Sequence, residues 1–312
     1  MLNRRHIRVK VLQTIYAMHQ SGSEDLAKEE RFLFASLDSI QDLYLIVLTA
    51  LTELRQKEAD FLDKASKKHL ATAADLKPNK KFIENRFLLL LEESTSLNNA
   101  VTTRKISNWQ QNDDVILLLL EDVKKSALYL KYMASNQKTF AEDKEFIMQL
   151  FSEVIAPNEK LYDYLEDFKL TWVDDIPLVN TALMKQFKTL DEKNPFEILP
   201  LFKDEEDQDF ARDLFRKTVL NENDLAKEYI DRTPNWDPER ISEVDTIMLK
   251  LAICEFLKFP SIPVKVTINE YLEIAKEYAT PKSSIFINGI LDNLVKEFQK
   301  TDKLKKTGRG LM

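Results

Sequence analysis

Glycine is scarce in this sequence, with four in 312 residues. Phosphate-cradling loops of α/β folds and the tight turns of all-β domains lean on glycine, so both classes are disfavoured. A single cysteine, Cys254, excludes an internal disulfide and fits a reducing cytosol. It lies inside an apolar stretch and reads as a packed thiol, not a nucleophile. The three histidines, His6, His19 and His69, stand apart from cysteines and carboxylates at metal-binding spacing. Glu270 and Glu273 share a helix face, which is the ordinary look of a solvated surface. No catalytic function, metal or cofactor is therefore expected. Long apolar runs are missing too. Phe87–Leu91 and Val115–Leu120 fall far below the roughly 18 residues needed to cross a bilayer. The N-terminus runs into charge without the apolar core of a signal peptide, so a cytoplasmic protein is expected.

What the chain does have is helix formers. Leu, Glu, Lys and Ala dominate, 44% of residues are hydrophobic and 31% are charged, which predicts an all-α protein with ample core. The net charge of −7 is uneven. Arg4, Arg5, Arg8 and Lys10 give the first twenty residues +4, leaving −11 for the rest. A basic N-terminus on an acidic body suggests a localised polyanion contact.

The opening segment predicts a helix with Ile7, Val11, Ile15 and Met18 on one stripe, Leu12 and Tyr16 beside it, and His6, Lys10, Gln13 and Ala17 opposite. Arg4 and Arg8 are one turn apart, and the planar arginine fork suits phosphate and guanine edges. By composition alone such a stretch is equally a solvated helix start. From about 29 to 70, Phe32, Leu37, Ile40, Tyr44, Val47, Leu51, Leu54 and Phe61 keep helical spacing, predicting one very long helix or two collinear ones. Further helices are expected near 80–99, 114–134 and 142–155. An offset of 64 residues matches Phe146, Leu150, Phe151, Leu161, Trp172 and Met184 to Phe210, Leu214, Phe215, Leu225, Trp236 and Met248, with Glu142-Asp143 matching Glu206-Asp207. This is either a duplication or a chance likeness of amphipathic helices.

Helices are expected again at 209–220 and 222–232. A turn over 235–239, with Asp237 as cap, leads to the most apolar helix of the chain, 239–258, expected at the centre of a bundle. The stretch 260–294 predicts two more helices: 267–278, stopped by Thr280-Pro281, and a second capped by Ser283 or Ser284 with Phe286, Ile287, Ile290, Leu291 and Leu294 inward. Gly289 inside that pattern costs about 1 kcal/mol of helix propensity, which points to close packing or a functional contact. The tail cations Lys303, Lys305, Lys306 and Arg309 are expected to be mobile and to supplement phosphate contacts.

The words Ile262-Pro263-Val264-Lys265-Val266-Thr267-Ile268-Asn269-Glu270, Ala275-Lys276 and Phe286-Ile287-Asn288-Gly289-Ile290-Leu291-Asp292 resemble the C-terminal signature of the NusB family. Arg4-Arg5-His6-Ile7-Arg8 with Gln13-Thr14-Ile15-Tyr16 is similar to that family's opening. Arg240-Ile241, Asp245, Leu249, Leu251-Ala252 and Glu255 resemble its central helix. The likeness covers about 4–20 and 205–298. It divides the chain into a basic helix (1–23), an expanded helical region (24–200), a NusB-like bundle (201–300) and a basic tail (301–312).

The resemblance implies an all-helical transcription antitermination factor. It would bind boxA-type leader RNA with the ribosomal protein NusE, within an RNA polymerase antitermination complex acting on rRNA transcription. It places Arg4, Arg5, His6, Arg8, Lys282, Ser283, Ser284 and Phe286 at RNA, and Tyr16 and Glu255 at NusE. His6 stands where the family often has a third arginine, and Lys282 where it often has an acid. Phe286 falls on the apolar stripe and reads as core before base-stacking platform. A NusB-like domain also precedes some rRNA cytosine methyltransferases, but no glycine-rich cofactor unit is found here. The competing reading is a helical scaffold whose acidic middle binds a protein partner without specific RNA binding.

Overall fold

The computed structural model describes residues 1–230 and 241–311 and is 76% helical, with no strand among the described residues. It divides into two compact units, one of Asp38–Leu201 with Met1, the other of Leu2–Leu37 and Phe202 onward. The helices, in order, are α1 Arg4–Ser21, α2 Leu26–Ser66, α3 Ala73–Leu76, α4 Arg86–Glu92, α5 Thr95–Arg104, α6 Asn108–Gln111, α7 Asp113–Lys125 and α8 Ala127–Ala134. They continue with α9 Phe140–Leu150, α10 Glu159–Phe168, α11 Ile176–Thr189, α12 Glu205–Leu220, α13 Glu222–Ile230, α14 Glu243–Lys258, α15 Val264–Tyr278 and α16 Pro281–Lys300.

Side-chain caps set most starts. Ser94, Ser126, Thr139, Asn158, Asp204 and Ser242 each accept the backbone N–H three residues on. The predicted 29–70 helix is one piece, and its residues up to Leu37 belong to the second unit. Leu37, Ile40, Tyr44, Val47, Leu51 and Leu54 are buried as the spacing predicts, whereas Phe32 and Phe61 are exposed. By length and composition α2 could cross a membrane, but 67% of its apolar window is buried inside the fold, as in a core helix. The predicted 114–134 helix breaks in two at Ser126, whose side chain caps α8. Past Leu150, α9 continues as a π-helical turn, Phe151–Ile155.

The repeat positions behave alike. Phe146 and Phe210, Leu150 and Leu214, Phe151 and Phe215, Leu161 and Leu225, and Asp143 and Asp207 are all buried. Met184 breaks the match, being half-buried where Met248 is fully buried. Trp236, Arg240, the Asp237 cap with its turn, the last two residues of the 222–232 helix and the Arg309 side chain lie outside the described residues.

In the second unit, α14 is the hub that the apolar pattern predicts. Ile247 to Phe256 are buried except Lys250, because α1, α12, α13, α15 and α16 all pack on it. The NusB-like signature folds as α15 and α16, which pack on each other. Thr280, not Ser283 or Ser284, caps α16, since Pro281 fits the first helical position and moves the start back. Gly289 is exposed and an added Cβ would meet nothing within 4 Å, so close packing does not explain it. The tail is docked. Lys303 pairs with Glu228, Lys305 with Asp302, and the Lys306 ammonium donates to the carbonyls of Glu255 and Phe259 at 3.0 and 2.9 Å. A Cβ on Gly310 would fall 1.9 Å from the Pro260 oxygen, so only glycine fits this approach.

Candidate nucleic-acid interface

Asn3 caps α1, and His6 completes the box: Asn3 accepts the His6 N–H at 3.1 Å while the His6 ring accepts the Asn3 N–H at 3.4 Å. His6 is thus used in helix initiation. The next turns present three arginines in graded burial. The Arg4 guanidinium donates to Asp207 at 2.9 Å and lies 5.2 Å over the Phe210 ring. Arg5 forks onto Glu270 with bonds of 2.9 and 3.0 Å. The hydrogen bond to Glu270 raises its pKa against the opposing effect of burial. Arg4 and Arg5 keep 38% and 37% of their side chains exposed. Both therefore reach solvent while held in place.

Arg8 is different. Its side chain is 2% exposed and forks onto Glu255, itself fully buried, at 2.6 and 2.8 Å. Thr267 and Tyr271 hydroxyls donate to the same carboxylate at 3.0 and 2.9 Å. Burial works against the Arg8 charge, yet the attraction of Glu255 holds its pKa above the ordinary value. Burial pushes the Tyr271 phenol well up, with Glu255 adding to the effect, so it remains a donor. The expectation that Arg8 touches RNA and Glu255 touches a protein partner is therefore corrected. Lys10 is buried as well, and does not replace charge at the surface. The physical reason is that α1 packs on α12, α14 and α15 together, so little of its circumference is left to solvent. Sequence signalled half of this: Glu255 lies inside the most apolar helix and needs a buried partner, but nothing local shows which of the α1 cations supplies it.

Asn3, Arg4, Arg5 and Arg8 line a cavity of about 580 Å3, closed on the other side by Ser261, Ile262, Pro263, Val266 and Glu270 at the start of α15. The sequence reading missed this wall, because Pro263 and Val266 look like helix punctuation and core. Val266 is 43% exposed.

The second predicted cluster does not join this cavity. α1 runs antiparallel to α14: His19 meets Glu243 at its start and Arg8 meets Glu255 near its end. Ser283 donates to Asp245 at 2.9 Å, which places the first turn of α16 near the start of α14. Asp245 and Glu255 are ten residues apart on one helix, so the two clusters lie about 15 Å apart along it. Within the second cluster Lys282 is exposed, Ser283 is buried, Ser284 is half-buried and Phe286 is core. Ile285, not singled out by the sequence, is 77% exposed. Tyr16 is 39% exposed. Burial pushes the Cys254 thiol up to about 12, which leaves it inert at neutral pH. Among the described residues no three His, Cys, Asp or Glu side chains gather to hold a metal.

The NusB family profile matches residues 178–296, starting inside the first unit and ending in α16. No solved structure matches the chain significantly. Three relatives carry the printed name "Transcription antitermination protein NusB". The Salinibacter ruber protein is 42% identical over 115 residues, 36% of this chain and 71% of its own length. The Chloroherpeton thalassium protein is 38% identical over 105 residues, 34% of this chain and 50% of its own. The Dictyoglomus turgidum protein is 43% identical over 89 residues, 28% of this chain and 62% of its own. The chain thus spans less than two thirds of the latter two, and about two thirds of it lies outside each match. With 42% identity across 71% of a relative, and the signature folded as the packed pair α15 and α16, the chain belongs to the NusB family.

Proposed function

We propose that the chain is a non-enzymatic, cytoplasmic transcription antitermination factor. It binds boxA-type leader RNA together with NusE and holds RNA polymerase in a processive state during rRNA transcription. The names of the relatives support the antitermination role. The observation that carries the RNA reading is the cavity with Arg4 and Arg5 on its wall. Glu270 takes the Nε and one Nη of Arg5, fixing the fork and leaving the other Nη to a phosphate. Arg4 exchanges its Glu206 contact for phosphate at little cost, since exposed pairs are weak, while its Nε stays on the buried Asp207 carboxylate. Arg8 and Glu255 act as the support beneath. Lys282 forms a second contact along the same strand, about 15 Å away, with Ser283, Ser284 and Phe286 fixing that turn from inside. Tyr16 and Ile285 are exposed apolar positions suited to NusE.

The test is fluorescence anisotropy with a boxA-like RNA and a scrambled control, each with and without NusE, at two salt concentrations. Tighter binding to boxA that improves with NusE is expected. Equal weak binding to both RNAs, indifferent to NusE, overturns the reading in favour of a protein-interaction scaffold.

A further inference from the structure

A cavity of about 710 Å3 opens in the Asp38–Leu201 unit, with Asn79, Lys80, Lys81, Arg86, Ser135 and Lys138 on its wall. We propose that it is a second RNA site, which grips the phosphate backbone of a single strand without reading bases. The proposal rests on the RNA-binding reading above and gives the expanded unit a role in it.

Charge supplies the first argument. Between Lys64 and Lys81 there are six lysines against one acid, Asp75, in a chain of net charge −7. Lys80 and Lys138 are exposed, and neither has a carboxylate partner among the described contacts. Glu84 and Asp143 are the acids in the wall, and Asp143 is already engaged by the Tyr132 hydroxyl at 2.6 Å and the Arg86 N–H at 2.9 Å.

Geometry supplies the second. The Lys81 ammonium is nearly buried. It donates to the Ser135 carbonyl and to both Glu142 oxygens at 3.0 to 3.1 Å, and lies 4.4 Å over the Tyr132 ring. Asn79 donates to the Met133 carbonyl at 2.8 Å. These bonds tie the segment bearing Lys80 to the segment bearing Lys138, so the two free ammonium groups are presented on a fixed frame. Lysine is a compact charge with rotatable donors, suited to phosphate and poor at base edges. Tyr132 is buried and offers no stacking face.

The repeat supplies the third. Asp143 and Phe146 stand 64 residues before Asp207 and Phe210. In the second unit Asp207 holds Arg4, whose guanidinium lies over Phe210. In the first, Asp143 holds Arg86 by its backbone, and Phe146 stacks at 3.9 Å on the Tyr132 that carries Lys81. In each unit the two repeat positions thus support cationic wall residues, Arg4 in one and Arg86 with Lys81 in the other, and of the four only Asp143 itself lines either cavity.

The experiment uses the full chain and labelled single-stranded RNA, short and long, across a salt series. Lys80→Glu/Lys138→Glu is compared with Lys185→Glu/Lys188→Glu, an exposed pair elsewhere in the unit, and with Arg4→Ala/Arg5→Ala. The cavity pair is expected to lower the log Kd versus log salt slope by about 0.7 per lost contact, with the larger loss on the long RNA, while the control pair leaves it unchanged. A slope equal to the control pair's overturns the proposal, and continued weakening by Arg4→Ala/Arg5→Ala then leaves the first reading standing. Absence of RNA binding by the wild type removes both. Should charge reversal perturb folding by circular dichroism, Lys80→Gln/Lys138→Gln carries the same comparison.

Discussion

The two ends of α14 each bury a carboxylate, but they neutralise it differently. Glu255 is met by a full positive charge, Arg8, and by two hydroxyls. Asp245 is met by the hydroxyl of Ser283 and sits in the first turn of its own helix, where the dipole favours an anion. Glu255 therefore depends on an ion pair whose loss leaves a buried charge, and Asp245 depends on local helix electrostatics plus one neutral donor. The same contrast separates the arginines of α1. Arg5, itself 37% exposed, keeps one Nη free of half-buried Glu270 for a new partner, whereas Arg8 is sealed in.

The largest test of this difference is Glu255→Ala or Arg8→Ala. Either should lower the unfolding free energy by about 3–5 kcal/mol, read by urea denaturation, because the remaining charge has no water to turn to. A loss no greater than that of Arg5→Ala would erase the contrast. Ser283→Ala should cost about 1–3 kcal/mol, since a hydrogen bond to a buried charged group is lost. Lys282→Asp next to it should leave the melting temperature alone and lower RNA affinity.

Gly289→Ala should stabilise the protein by about 0.5–1 kcal/mol, because the helix gains propensity and the added methyl meets nothing. Weaker NusE binding by that variant would mark the exposed face as an interface.

Lys306 gives a pH test. Burial lowers its pKa to about 8 from an ordinary 10.5, with Glu255 opposing. The folded state then binds fewer protons than the unfolded state between those values, so this group's contribution to stability rises with pH across that window. The difference in melting temperature between wild type and Lys306→Met should change with pH there and be flat below pH 8. Smallest in stability is Arg5→Ala, at under about 1 kcal/mol. Its signature is instead a salt slope for RNA flatter by about 0.7.

Most of the helices were legible because the information is local. Apolar spacing located α2, α12 and α14–α16, and caps such as Ser242 need only their own turn. Where local cues competed, the reading slipped by a few residues, as at Thr280, or merged two helices, as at Ser126. The candidate site was less legible. Arg4, Arg5 and Arg8 look alike in a string of letters, and Lys282 to Phe286 look continuous with them as one surface.

By itself, the sequence determined the helical class, the hub helix and the NusB-family signature, because each rests on residues three or four apart or on an ordered run of residue types. Only tertiary structure decided which arginine is buried, which glutamate neutralises it, and that the two clusters face different ends of α14. Those outcomes depend on Glu255, Glu270 and Asp207, each more than two hundred residues from the arginine it holds. Burial and charge pairing at such separation are properties of the packed bundle and not of any segment.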